Sequence, residues 1–258
     1  MERCGNYFIE DGVKIGRGGF GEVFEVKVYN LTKTSFKTFA IKYFSPTKKN
    51  NTSAIKAVAD LNQRFTIEIK TQCKLNGLNY DSIAPIVLFS LYGEKPYFIM
   101  EKAEFNLLKS IEFGMDENEK NQAVKQILSG LKTIHDNNYI HRDLKPENIL
   151  KYKDGKYKIT DFGLVKDLDS VRAEIKTRFE PNDLGSDGYR APEITISGLF
   201  TKQSDIYAMG QIISDIYVSN RSNQKIKKII SKCREYWPED RYVDSGELLA
   251  DFIKALEV

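Results

Sequence analysis

The chain has 258 residues with 39 Lys and Arg against 36 Asp and Glu, a net charge of +3, which allows one large domain or two small lobes around a cleft. That balance argues against nucleic acid as a partner, and a chain of this size buries enough apolar surface to need no disulfides. No stretch approaches the roughly 18 uninterrupted apolar residues of a membrane span, and the opening MERCGNYFIEDG lacks the apolar run of a secretory signal. Cys4, Cys73 and Cys233 lack metal-type spacing and read as free thiols, so a soluble, cytoplasmic protein is expected. Only Lys48–Ser53 interrupts the chain with a polar run, read as a surface loop, so one domain over residues 1–258 is expected, with no attached segment. Lys225, Lys227 and Lys228 read as a solvated helix face.

In chain order, Gly16-Arg17-Gly18-Gly19-Phe20-Gly21-Glu22-Val23 comes first. A dinucleotide fingerprint of that spacing must open a helix. Here Phe24, Val26 and Val28 alternate with Glu25 and Lys27, so the glycines belong to a strand–turn–strand flap. Lacking side chains, Gly16, Gly18 and Gly21 let backbone N–H groups come close to phosphates. Alternation in Phe39-Ala40-Ile41-Lys42 puts Ala40 and Lys42 on one face. Residues 53–76 read as a helix through Ala54, Val58, Leu61 and Phe65, with Glu68 its one glutamate. Asp116 to His135 is a second helix, its start marked by a capping box of Asp116 with Glu119. His135 reads as a structural residue at the helix end.

His141-Arg142-Asp143-Leu144-Lys145-Pro146-Glu147-Asn148, with Asp161-Phe162-Gly163 beyond, gathers a proton acceptor, a phosphate-binding lysine and two oxygen ligands. Phosphoryl transfer needs that set, because it is catalysed by positioning and charge neutralisation. The two strings resemble the catalytic loop and metal-binding motif of eukaryotic-type serine/threonine protein kinases. Similarity to that family runs from Ile15 to Arg241.

The resemblance implies an α+β, bilobal fold: a five-stranded antiparallel sheet plus one main helix over residues 1–102, and a mostly helical lobe over 103–258. It implies ATP bound by Ile15, Gly16, Gly18, Gly21, Val23, Ala40, Lys42, Met100, Glu101, Ala103 and Leu150, with Glu68 holding Lys42. Asp143 would orient the acceptor hydroxyl and take its proton, and Lys145 would stabilise the γ-phosphate. Asn148 and Asp161 would hold Mg²⁺, with Mn²⁺ as the alternative ion. His141 would pack and hydrogen-bond, Asp205 would anchor the catalytic loop, and Glu193 of Ala191-Pro192-Glu193 would pair with Arg241. The implied partners are proteins offering Ser or Thr hydroxyls, with neither nucleic acid nor membrane, to a monomer or weak dimer.

Three departures from the family pattern stand out. Gln72 falls where relatives carry an apolar residue, so it needs a buried partner or its helix swings outward. Asp161 to Glu193 resembles the family's activation segment, which would give Arg142 an anion, either Thr177 as a phosphosite or Glu180 and Asp183 as fixed carboxylates, and Ser186 stands for the usual threonine. The connection from Gln211 to Trp237 is short, so a docking helix is expected to be missing or reduced to a turn. Glu147 reads as a solvated or structural carboxylate. Two other functions were weighed. A pseudokinase scaffold is disfavoured by the presence of Lys42, Asp143, Asn148 and Asp161, and a small-molecule kinase by Lys145 and Ala191-Pro192-Glu193.

Overall fold

A computed structural model describes residues 1–18, 21–45, 52–92, 95–169, 188–218 and 223–257. The first part is a sheet with one long helix against it. Its strands are β1 (Glu2–Cys4), β2 (Tyr7–Gly18), β3 (Gly21–Tyr29) and β4 (Phe36–Phe44), followed by α1 (Thr52–Leu78), β5 (Ile86–Ser90) and β6 (Tyr97–Glu101). All neighbours are antiparallel in the order β1-β2-β3-β4-β6-β5. The sheet therefore has six strands where five were expected. The extra one is only three residues long, too short for alternation to betray it, and pairs Glu2–Cys4 with Ile9–Tyr7. The turn between them runs through Gly5, whose φ of 56° suits a residue without Cβ.

Alternation sorts the sheet into two apolar clusters. Val26, Val28, Ile41, Tyr97 and Ile99 pack on one face with Phe39 and Tyr43. On the other, Ala40, Phe44, Phe98 and Met100 join Phe65 and Ile69 of α1, with Val23, Leu61 and Leu150 against them. Lys42 is thereby turned toward the helix side, as the period of two requires.

The rest is mainly helical. β7 (Phe105–Asn106), α2 (Leu107–Phe113) and α3 (Glu117–Asp136) lead to β8 (Tyr139–Ile140), β9 (Ile149–Lys151), β10 (Tyr157–Ile159) and β11 (Lys166–Asp167). Then come α4 (Pro192–Ser197), α5 (Lys202–Ile216), α6 (Gln224–Cys233) and α7 (Ser245–Leu256). The capping box of α3 is half formed. Asp116 accepts from the Glu119 backbone N–H at 2.7 Å, but the Glu119 carboxylate accepts from Lys151 and from the Tyr157 hydroxyl instead.

Helix α5 is the centre of this half, with Ile206, Ala208, Met209, Ile212, Ile213 and Ile216 all buried. Gly210 allows α6 to lie against it, since a Cβ there would sit 2.5 Å from Cys233 Cβ. Only residues 217–223 separate α5 from α6, where a docking helix was expected to be missing or reduced to a turn, and 219–222 lie outside the described residues. No helix among the described residues is long and apolar enough to cross a membrane.

Candidate active site

The sheet contributes the flap and the lysine. β2 and β3 form a hairpin with Gly16 opposite Val23 and Gly18 opposite Gly21, while Gly19 and Phe20 lie outside the described residues. A Cβ on Gly21 would run into the Tyr43 carbonyl oxygen, so glycine there is what lets β3 pass β4 this closely. Beneath the flap Val23, Ala40, Met100 and Leu150 share one apolar cluster, a surface suited to a planar base. Ile15, at a bulge of β2, is exposed and outside it. Glu101 ends β6, and Lys102 and Ala103 carry the chain out of the sheet.

Lys42 and Glu68 are both buried, and the ammonium lies 2.6 Å from Glu68 Oε1 and 3.3 Å from Asp161 Oδ1. Burial by itself would lower the pKa of this lysine, but Asp161 and then Glu68 outweigh it and hold it above the ordinary lysine range. Burial pushes the Glu68 carboxyl up to about 7 against the pull of Lys42. The two shifts point opposite ways for the pair. Contact at 2.6 Å between two groups out of water favours the ionised pair, and Glu68 Oε2 is left buried with no hydrogen bond.

Gln72, one turn on, settles how α1 sits. Its amide donates to the Ala84 carbonyl at 2.9 Å, leaving only Oε1 unpaired, so the helix is packed inward with Glu68 on Lys42.

The second half of the site is a loop held by one buried carboxylate. Asp205, 2% exposed on the first turn of α5, accepts from the His141 N–H at 2.8 Å and the Arg142 N–H at 2.9 Å. His135 Nε2 lies 3.1 Å from the same carboxylate, which gives that histidine a structural role. His141 Nδ1 accepts from the Asp143 N–H at 3.3 Å, so the proton is on Nε2 and faces the Thr160 carbonyl at 3.0 Å. Its ring packs edge-on to Phe162, with centroids 5.0 Å apart. These bonds hold Arg142 and Asp161 at φ of 71° and 62°, a region costly for residues other than glycine.

Asp143 is fixed by both neighbours in its motif. Lys145 Nζ lies 3.0 Å from Asp143 Oδ2, and the Asn148 amide nitrogen donates to Oδ2 at 2.9 Å and to the Asp143 carbonyl at 2.8 Å. With its nitrogen committed, Asn148 offers its amide oxygen as a hard ligand. Burial works to raise the Asp161 pKa, but Lys42 outweighs it and keeps the carboxyl below its ordinary range. An amide oxygen and an ionised carboxylate suit Mg²⁺, which takes few protein oxygens and completes its octahedron with phosphate and water.

Glu193 and Arg241 form a two-armed pair at 2.9 Å on each arm, and Arg241 also donates to the Glu235, Tyr236 and Gln203 carbonyls. Thr177, Glu180, Asp183 and Ser186 lie outside the described residues. Arg142 stacks 4.0 Å over Phe200. Sequence reasoning missed a cation cage behind Glu101. Lys158, 2% exposed, lies 4.0 Å over the Tyr80 ring and 5.1 Å from that of Tyr152, while the Tyr80 hydroxyl donates to Glu101 Oε1 at 3.2 Å.

Comparison with known proteins agrees with this geometry. The chain is 32% identical to cyclin-dependent kinase F-3 of Oryza sativa subsp. japonica, over 64% of this chain and 39% of that protein. It is 29% identical to a probable LRR receptor-like serine/threonine-protein kinase of Arabidopsis thaliana, over 83% of this chain and 20% of the relative. It is likewise 29% identical to a G-type lectin S-receptor-like serine/threonine-protein kinase of the same plant, over 95% of this chain and 30% of the relative. The chain thus spans well under half the length of these curated relatives. The family model described as protein kinase domain matches residues 9–251, and the chain belongs to that family.

Proposed function

We propose that this domain transfers the γ-phosphoryl group of ATP to serine or threonine hydroxyls of protein substrates, its own included. One observation carries the reading: Lys42, from the sheet, reaches Asp161, from beyond the catalytic loop, at 3.3 Å while paired with Glu68. The two halves of the molecule thus aim their charges at one cleft. The relatives named as serine/threonine kinases support the choice of acceptor.

In this proposal the Gly16–Gly21 flap and Lys42 hold the phosphates, and the backbone from Glu101 to Ala103 holds the base. Asp143 orients the acceptor hydroxyl and takes its proton at the carboxylate, positioned by the Asn148 amide. Lys145, already beside Asp143, moves its ammonium to the transferring group's oxygens. Mg²⁺, or Mn²⁺ in its place, would be held by Asn148 and Asp161 and would supply charge neutralisation at the phosphate oxygens. The same proposal gives the domain a reducing, cytoplasmic setting, in which Cys4, Cys73 and Cys233 keep the free thiols they have.

The test is incubation with Mg²⁺, γ-labelled ATP and a generic protein acceptor, followed by identification of the labelled amino acid. Label on serine and threonine is expected. Label confined to tyrosine or to small metabolites would contradict the proposal, and ATP binding without transfer would favour a scaffold.

A further inference from the structure

The stretch after α6 carries a surface that the phosphotransfer site does not use. Trp237, the chain's only tryptophan, is 58% exposed, and Tyr236 beside it is 52% exposed. Their rings meet edge-on with centroids 5.0 Å apart. No hydrogen bond from the described residues reaches the indole N–H or the Tyr236 hydroxyl, so both face water. Glu235, Glu239 and Asp240 flank the pair in sequence, all exposed and none in an ion pair among the described residues.

The arginines close in sequence are engaged with other groups. Arg241 is 3% exposed and spent on Glu193, and Arg234 stacks 4.0 Å over the Tyr207 ring. What faces water is therefore an aromatic pair flanked in sequence by three exposed carboxylates that form no ion pair among the described residues. Its chemical complement is an apolar side chain flanked by lysines or arginines. Tryptophan and tyrosine are also the residue types that most often dominate binding energy at interfaces.

Hydrogen bonds connect the surface to the catalytic loop. Arg241 donates to the Tyr236 and Glu235 carbonyls at 2.9 and 2.8 Å, and it pairs with Glu193. Glu193 in turn accepts from Ser204 at 2.9 Å, and the next residue, Asp205, holds the His141 and Arg142 N–H groups. A protein seated on Trp237 is thus held at a fixed offset from Asp143.

We propose that Tyr236 and Trp237, with Glu235, Glu239 and Asp240, form a docking surface for a basic segment of a protein substrate that carries an apolar anchor. That the docked protein is a substrate rests on the phosphotransfer reading above.

The lone tryptophan makes the test independent of activity. Relative to free tryptophan, quenching by Cs⁺ should be enhanced over quenching by I⁻, because exposed carboxylates flank the indole in sequence. A short synthetic peptide with a leucine pair flanked by arginines should shift the emission to the blue and protect it from Cs⁺, and the same peptide with glutamates should not. Glu239→Lys combined with Asp240→Lys, both exposed, should weaken the arginine peptide about tenfold or more and leave transfer to a short acceptor lacking leucines unchanged. No response to the arginine peptide, an equal response to both peptides, or undiminished binding by the double variant would overturn the proposal. So would a blue shift on raising protein concentration alone, which would make a second copy the occupant. A protein that binds the peptide but transfers no phosphate would keep the docking surface and sink the phosphotransfer reading instead.

Discussion

The two halves of the site are held by different physics. On the sheet side, Lys42 is fixed by a side-chain ion pair with Glu68, both groups out of water. On the helical side, Asp143 stands on a loop whose backbone N–H groups at His141 and Arg142 are held by the buried carboxylate of Asp205. An ion pair of this kind can be neutralised by one proton, since burial already pushes Glu68 up to about 7. On the helical side two backbone donors share one carboxylate, and those donors do not titrate. The lysine side is therefore the adjustable half and the catalytic loop the fixed half.

Breaking the fixed half should have the largest effect on stability. Asp205→Ala strands two backbone N–H groups and His135, and should cost about 4 kcal/mol in urea unfolding, with transfer lost. Lys42→Met leaves Glu68 buried, but the carboxyl can take a proton, so the cost should be nearer ~2 kcal/mol while transfer is lost as completely. A larger loss in Lys42→Met than in Asp205→Ala would reverse the comparison. Gly21→Ala forces β3 and β4 apart at the flap and should cost about 1–3 kcal/mol and raise the KM for ATP.

The proton at Glu68 gives a pH test. Its folded-state pKa is raised from the usual 4.5 to about 7, so its protonated form stabilises the fold. That contribution is full below the usual value and lost as pH rises through about 7. Function runs the other way, because only ionised Glu68 pairs with Lys42. ATP affinity should therefore fall as pH drops from about 8 to about 6, and Glu68→Gln should be weak and flat across that range. The smallest effect is expected at Gln72→Leu. It loses the bond to Ala84 but removes a buried unpaired oxygen, and should shift stability by less than ~1 kcal/mol.

How much of this was legible follows the same division. Asp143, Lys145 and Asn148 lie within six residues of one another, so one loop sets their spacing and the string alone exposes the chemistry. Glu68 was legible as the one glutamate of its helix, although its partner is 26 residues away. The acceptor for Gln72 was not, because it is a backbone carbonyl brought in by the turn after α1. Glu119 shows a local rule overridden: the capping bond it could return to Asp116 loses to Lys151 and Tyr157, which tertiary packing supplies. Lys158 was invisible because its cage is built from Tyr80 and Tyr152, rings on separate segments. The strand β1 was hidden by its length.

The central claim, that the sheet lysine and the catalytic loop act as one phosphoryl-transfer site, is tested most directly by comparing wild type with Asp143→Asn for ATP binding and for γ-phosphoryl transfer in the same preparation. Transfer should fall about a thousandfold while ATP affinity stays within about twofold of wild type. Undiminished transfer by Asp143→Asn, or a wild-type protein that binds ATP and transfers nothing, would contradict it.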